Sequence, residues 1–158
     1  MVETMSPGAY WDERYRTDNA PWNTAQPSTE LMRVVAEDGI EPCTAIDLGC
    51  GLGVHSIWLS QQHFDVTGVD VSPLVIDRAR KRALAEGARV RFLVADVLHD
   101  RDVGGPYDFF FDRGCYHYVR NVDVRGYLDC LQRVTQPGSL GLVLAGNEIG
   151  RASCRERV

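Results

Sequence analysis

At 158 residues the chain is long enough for one domain with a substantial core and too short for two. Hydrophobic residues make up 44% and charged residues 25%, a globular profile and neither a disordered nor a fibrous one. A formal net charge of −5 argues against general attraction to nucleic acid or to an anionic membrane surface.

In chain order, residues 10–22 are polar and aromatic, with Trp11, Tyr15 and Trp22 among charges, and Asn19-Ala-Pro-Trp-Asn23 reads as a turn. Ser28 is a helix cap, followed by the apolar face Leu31, Val34, Val35, which runs out at Asp38-Gly39. Residues 45–48 form a short buried strand that ends in a glycine cluster, and 54–62 carry a helical pattern with Ile57 and Trp58 as packing residues. Residues 64–69 make a second strand closed by Asp70. Ser72-Pro73 then supplies both local signals of a helix start, with Val75, Ala79 and Ala83 on one face and Gly87 at the end. Strands follow at 90–94 and 107–111. Val124, Leu128 and Leu131 mark an amphipathic helix stopped by Pro137-Gly138, and 140–145 is a fifth strand. Strands alternating with helices predict an α/β fold, a mostly parallel sheet with helices on both faces.

Cys43, Cys50, Cys115, Cys130 and Cys154 include no CxxC pair, and the odd count suits reduced thiols in a cytoplasm and no structural zinc. Residues 1–8 lack the basic-then-apolar order of a signal peptide, and the longest apolar stretch, 140–145, is far too short to span a bilayer.

The chemistry concentrates in Asp47-Leu-Gly-Cys-Gly-Leu-Gly53 between the first strand and its helix. Glycines there let backbone approach a ligand while the helix presents free N–H groups. Val54 stands where the dinucleotide fingerprint carries Gly or Ala. Asp70, roughly 20 residues on, can take both ribose hydroxyls, and Asp96 after the third strand is placed to meet an adenine amino group.

Asp47-x-Gly-x-Gly-x-Gly53, Val69-Asp70 and Ala95-Asp96-Val97 together resemble the cofactor motifs of class I S-adenosylmethionine-dependent methyltransferases. The resemblance covers 45–145 and implies a Rossmann-like fold. It also implies a glycine loop (Asp47, Gly49, Gly51) facing the methionine part of S-adenosyl-L-methionine. Asp70 with Val71 would then lie at the ribose, and Asp96 with Val97 around adenine; the product would be S-adenosyl-L-homocysteine. Trp11-Asp-Glu-Arg-Tyr15, Pro21-Trp22 and Phe111-Asp-Arg-Gly114 are similar to the thiopurine and thiol methyltransferase branch, which includes tellurite-resistance-type enzymes. That likeness implies that Trp11, Tyr15 and Trp22 close over the cofactor and that Arg113 sits at the cofactor–substrate junction. The Cys115-Tyr-His-Tyr118 continuation looks more like bacterial relatives of unassigned substrate.

Asp112 and His117 follow the fourth strand at the rim where open α/β sheets bind ligands, and either is a candidate general base. A thiol acceptor needs such a base least. His55, His63 and His99 show no ligand spacing, no metal site is expected, and Cys50 is not expected to act as a nucleophile. Residues 148–158 break the pattern and resemble read-through of a DNA sequencing adapter. The expected organisation is therefore a methyltransferase domain over 1–147, with a lid segment at 1–27, truncated after the fifth strand, and a non-native tail at 148–158. Truncation would leave the fifth strand as an open edge that invites a homodimer.

The favoured function is methyl transfer to a small-molecule nucleophile, a thiol first, in a cytoplasmic protein without nucleic-acid or membrane partners. The alternatives are a truncated cofactor-binding chain with little turnover and, third, a nicotinamide-dependent oxidoreductase. RNA methylation would be expected to bring a basic face.

Overall fold

Short apolar runs bounded by turn residues become strands, and the runs between them, with apolar positions three or four apart, become helices. A computed structural model describes residues 5–17, 20–146 and the backbone of 154–157. The strands are Thr44–Leu48 (β1), Asp65–Asp70 (β2), Val90–Val94 (β3), Tyr107–Arg113 (β4) and Thr135–Leu144 (β5). The helices are Pro7–Arg16 (α1), Thr29–Glu37 (α2), Val54–Gln61 (α3), Pro73–Ala85 (α4) and Cys115–Val134 (α5). β1 to β5 pair in parallel in the order β3-β2-β1-β4-β5. The order reverses between β1 and β4, and the β1–β4 register aligns Leu48 with Asp112 at the exits of both strands. A crevice at such a reversal is where α/β sheets of this kind take ligands.

Alternation along the central strands loads both faces. Phe110 packs with Ile46, Leu48 and Tyr127 on one side. Phe109 and Phe111 pack with Leu31, Val34 and Leu59 on the other. Gly141 is what lets β5 lie against the Phe110 ring, since a Cβ there would fall 2.0 Å from it.

Three expectations change. Residues 10–22, read from the sequence only as a polar aromatic stretch with a turn, hold most of a helix: Ser6 accepts from Ala9 N at 3.3 Å, Pro7 opens the helix, and α1 carries Trp11 and Tyr15. The turn at Ala20–Asn23 does form, with Asn23 N donating to Ala20 O at 2.9 Å. α5 starts nine residues before Val124, directly after Gly114, and bends at Asp123, which has φ −157° and ψ 85°. Its buried face is Val119, Tyr127, Cys130 and Val134, whereas Val124 and Leu128 are exposed. Val124, Leu128 and Leu131 repeat at helical spacing, but of these only Leu131 packs on the core; the buried face runs one position earlier, through Tyr127, Cys130 and Val134, whose phenol and thiol give a weaker apolar signal. Finally, the edge of β5 is not open. Backbone of Cys154–Arg157 (β6) pairs antiparallel with Leu140–Val143. The rest of the expected tail, 148–153 and 158, lies outside the described residues.

α1 is fastened to the sheet by charge. The Asp12 carboxylate accepts from the Ser72 hydroxyl and, at 3.2 Å, from Leu74 N, so it caps α4 from another element. Arg78 Nη1 donates to Tyr15 O at 3.0 Å, and the Gly8 backbone sits against Val71 O. Asp12→Ala is expected to lower the stability by about 1 kcal/mol, the usual loss of a cap. Thermal melting checks that value, and a melting point identical to wild type means Asp12 does not fasten the helix.

Candidate active site

The residues that follow β1, β2, β3 and β4 meet α1 and the start of α5 around one cavity of about 1130 Å³. The β1–α3 loop is built on left-handed glycines. Gly49 has φ +67°, and a Cβ there would stand 2.7 Å from the Cβ of Cys115. A Cβ on Gly51 would stand 3.1 Å from the Tyr15 hydroxyl. No side chain caps the N-terminus of α3.

Asp70 lines the cavity and braces the loop. One carboxylate oxygen accepts from Gly51 N and the other from Ser72 N, both at 3.0 Å. Burial pushes its carboxyl up to about 6, against the pull of those donors. Val71 lines the cavity beside it. Asp96, Val97 and Leu98 form the next stretch of wall; Asp96 Oδ1 accepts from Leu98 N at 2.9 Å, and Oδ2 lies 2.9 Å from His99 Nδ1. The sequence assigns His99 no chemistry, yet this hydrogen bond to Asp96 raises its pKa.

Asp47 is placed differently. It is buried behind the glycine loop, outside the large cavity, where Ser56 Oγ donates to it at 2.6 Å, and burial pushes its carboxyl up to about 7. Its carboxylate ties β1 to α3 and shapes the loop from behind. A narrow pocket there, of about 40 Å³, also meets His55 and Arg113. The His55 Nε2 atom is buried with no partner among the described residues, and burial pushes its pKa down to about 4.

The three aromatic residues meet at the cavity. Trp11, Tyr15 and Trp22 all line the cavity, Trp22 Nε1 donates to the Tyr15 hydroxyl at 3.3 Å, and Trp11 meets Trp22 edge-to-face at 5.5 Å. Arg113, at the end of β4, lines both the cavity and the narrow pocket, and donates to Trp22 O at 3.1 Å.

The two candidate bases separate. Asp112 has no exposed surface and is not on the cavity wall; it accepts from the Tyr127 hydroxyl at 2.6 Å and from Tyr116 N at 3.0 Å. Burial pushes its carboxyl up to about 7. This corrects its expected role: Asp112 anchors the first turn of α5 and has no path to a substrate proton. His117 is on the wall, with Nδ1 2.9 Å from Gly146 O. A carbonyl can only accept, so Nδ1 carries the hydrogen and Nε2 keeps its lone pair.

Two residues stand out only in the structure: Arg14, which lines the cavity, and Asp12, which lies off its wall and caps α4. The signal that places both on one helix is Ser6-Pro7, the same cap-and-proline pair that marks α4 at Ser72-Pro73.

The donor set suits a nucleoside cofactor with a flexible polar arm. Left-handed glycines leave room where any Cβ would intrude, a wall carboxylate follows β2, and an acid with apolar neighbours follows β3. Residues 45–138 match the family described as methyltransferase domain. The chain belongs to that family. Its relatives include proteins named as S-adenosyl-L-methionine-dependent methyltransferases, and the nicotinamide reading is not favoured. The domain is 29% identical over 126 residues to 2-heptyl-1-hydroxyquinolin-4(1H)-one methyltransferase of Mycobacteroides abscessus, covering 78% of this chain and 55% of that protein. It is 25% identical over 115 residues to the probable S-adenosyl-L-methionine-dependent methyltransferase TehB of Haemophilus influenzae, covering 73% of this chain and 40% of TehB. A structure solved for the conversion of a disulfide bond into a thioacetal group during echinomycin biosynthesis superposes with a TM-score of 0.82. That likeness has 28% identity and covers 90% of this chain and 60% of the other. The chain thus spans about half the length of the curated relatives it matches. Among the described residues, no cluster of His, Cys, Asp and Glu could hold a metal, and no helix is long and apolar enough to cross a membrane.

Proposed function

We propose that the chain transfers a methyl group from S-adenosylmethionine to a small-molecule nucleophile, with sulfur acceptors favoured. The observation that carries this reading is the single cavity joining the Asp70–Asp96 wall to the Trp11, Trp22 and His117 wall, so that a cofactor and an acceptor can share it. The bound cofactor supplies a methyl group already activated on a sulfonium sulfur and is released as S-adenosylhomocysteine.

The chain's own residues bind, orient and exclude water. Asp70 offers its remaining lone pairs to the ribose hydroxyls, beside Val71. Asp96 accepts from the adenine amino group, and Val97 packs on the ring. Gly49 and Gly51 admit the methionine part, while Asp47 holds the loop from behind. Trp11, Tyr15 and Trp22 cover the reacting centre, and Arg113 keeps that cover in place through Trp22 O. Alignment of this kind supplies roughly 7–11 kcal/mol of barrier reduction. His117 Nε2 takes the proton of an acceptor that arrives neutral.

Two points support sulfur: the Asp-Arg-Gly resemblance to the thiol branch, and the neighbour whose chemistry converts a disulfide into a thioacetal. The quinolone relative makes an aromatic oxygen acceptor the second choice. A thiol with pKa near 8.5 is already partly ionised at neutral pH. His117→Ala is therefore expected to cut kcat about 100-fold on a phenol and far less on a thiol. Equal losses on both acceptors would remove the base role.

The free thiols of Cys43, Cys50, Cys115 and Cys130 support a cytoplasmic site of action. Pairing of two chains through β5 would replace β6, and light scattering of concentrated protein reads out that exchange. Calorimetric titration of S-adenosylhomocysteine and NAD in parallel tests the core of the reading. Binding of NAD alone overturns it, and binding of the nucleoside with no turnover on thiol, phenol and amine panels leaves only a cofactor-binding chain.

A further inference from the structure

Arg14 is a cation on the cavity wall with no ion-pair partner among the described residues. Its guanidinium carbon lies 4.7 Å from the Trp22 ring centroid, 5.8 Å from that of Trp11 and 5.9 Å from that of Tyr10. Nη1 donates to the Tyr10 hydroxyl at 3.0 Å. Nε is buried and has no hydrogen-bond partner among the described residues. None of the ion pairs among those residues includes Arg14. Glu30 also lines the cavity, and no ion pair joins its carboxylate to Arg14. A half-buried guanidinium with an unpartnered N–H and no carboxylate paired to it among the described residues can take its balancing charge from a ligand.

The surroundings say what kind of ligand. Trp11 meets the Tyr118 ring edge-to-face at 5.0 Å, and Tyr10 stacks on Tyr118 at 6.4 Å. The aromatic corner therefore joins α1 to α5 beside His117. Arg14 is absent from the narrow pocket behind the glycine loop, where Arg113 is the cation. The acids assigned to the cofactor follow β2 and β3, on other elements. A corner of indole and phenol rings set mostly edge-to-face, with a planar forked cation among them, matches an aromatic anion.

We infer that Arg14, with Trp11 and Trp22, selects planar aromatic acceptors that carry the reacting oxygen or sulfur as an anion. This rests on the methyl-transfer reading and names its acceptor class. In the transfer, a lone pair of the acceptor anion forms the bond to the methyl carbon, and the methyl–sulfonium bond breaks with its pair returning to sulfur. One positive and one negative charge disappear together, and no proton moves. An acceptor that arrives protonated first gives its proton to His117 Nε2. The methylated product is uncharged, so it loses the attraction of Arg14 and leaves.

Calorimetry in saturating S-adenosylhomocysteine tests this with 4-nitrophenol, above its own pKa, and 4-nitroanisole, its uncharged methylated form. The phenolate is expected to bind the wild-type protein at least about tenfold more tightly than the anisole. Arg14→Gln is expected to erase that difference while the affinity for S-adenosylhomocysteine, which also reports a folded protein, changes less than about threefold. Arg14→Lys keeps the charge without the planar fork and falls between them. Equal affinity of the two probes for the wild type sinks the inference, as does mercaptoacetate binding as tightly as the phenolate. A tenfold loss of S-adenosylhomocysteine affinity in Arg14→Gln also sinks it, because the guanidinium then serves the cofactor. A wild-type protein that binds no S-adenosylhomocysteine removes the methyl-transfer reading and this inference with it.

Discussion

Asp70→Asn is expected to weaken S-adenosylhomocysteine binding by about 100-fold, roughly 2.8 kcal/mol at 1.4 kcal/mol per decade. In the wild type each carboxylate oxygen already accepts one backbone N–H, from Gly51 or Ser72, and keeps a lone pair for a ribose hydroxyl. An amide offers one oxygen. Its NH₂ must face a backbone donor on the other side, so the variant loses a ribose contact and loosens either the glycine loop or the start of α4. Titration calorimetry measures the effect, and an unchanged affinity takes the ribose away from Asp70.

The same carboxyl makes binding and stability respond to pH in opposite directions. With Asp70 pushed up to about 6 by burial, acidification below that value protonates the group and removes an acceptor, so cofactor affinity falls. The stability of the free protein runs the other way. Asp70, Asp47 and Asp112 have folded pKa values of about 6, 7 and 7 against an ordinary 3.8. Their contribution is fully present below the unfolded value and is lost as pH rises through the folded ones. His55, held down to about 4 from 6.5, opposes them, since its contribution is lost as pH falls through that window. Three raised carboxyls outweigh one lowered imidazole. The melting point is therefore expected to drop between about pH 4 and 7 while S-adenosylhomocysteine affinity rises. Parallel trends in the two quantities would contradict this assignment of the buried acids.

Gly49→Ala is expected to abolish cofactor binding and to cost roughly 2–5 kcal/mol of stability. A left-handed backbone at φ +67° costs an L-residue roughly 1–2 kcal/mol. The added Cβ meets the Cys115 Cβ at 2.7 Å, an atom fixed to the first turn of α5 that cannot swing aside. Such overpacking adds about 1–3 kcal/mol. The melting point should fall by roughly 5–15 °C. Adding Cys115→Gly removes the contact but not the backbone strain, so it restores part of the stability. Wild-type melting and binding in Gly49→Ala would mean the loop does not need this glycine.

Much of this was legible from residues close together in the chain. Ser28 and Ser72-Pro73 announce their helices because a capping hydroxyl and a fixed φ act within one turn. Asp70 and Asp96 are legible because a strand that ends at the open edge of a parallel sheet delivers its next residues to the crevice, whatever the rest of the chain does.

What stayed hidden depends on contacts between distant segments. Asp47, Asp70 and Asp112 look alike in the sequence, each an acid at or near the end of a strand. They part company because α3 brings Ser56 to Asp47 and α5 brings Tyr127 to Asp112, filling both with internal donors. Asp70 meets only backbone N–H groups and keeps a face on the cavity. Likewise α5 buries Tyr127 and Cys130 and leaves the more apolar Val124 and Leu128 exposed, and Arg14 becomes a wall residue only when α1 docks through Asp12 onto α4. Local patterning determined the strands, the glycine loop and the acids at the strand ends of this protein, because those follow from hydrogen bonding and sterics within a few residues. Packing between elements decided which acid faces the cavity and which is filled by internal donors, because burial and pairing are set by whatever arrives from far along the chain.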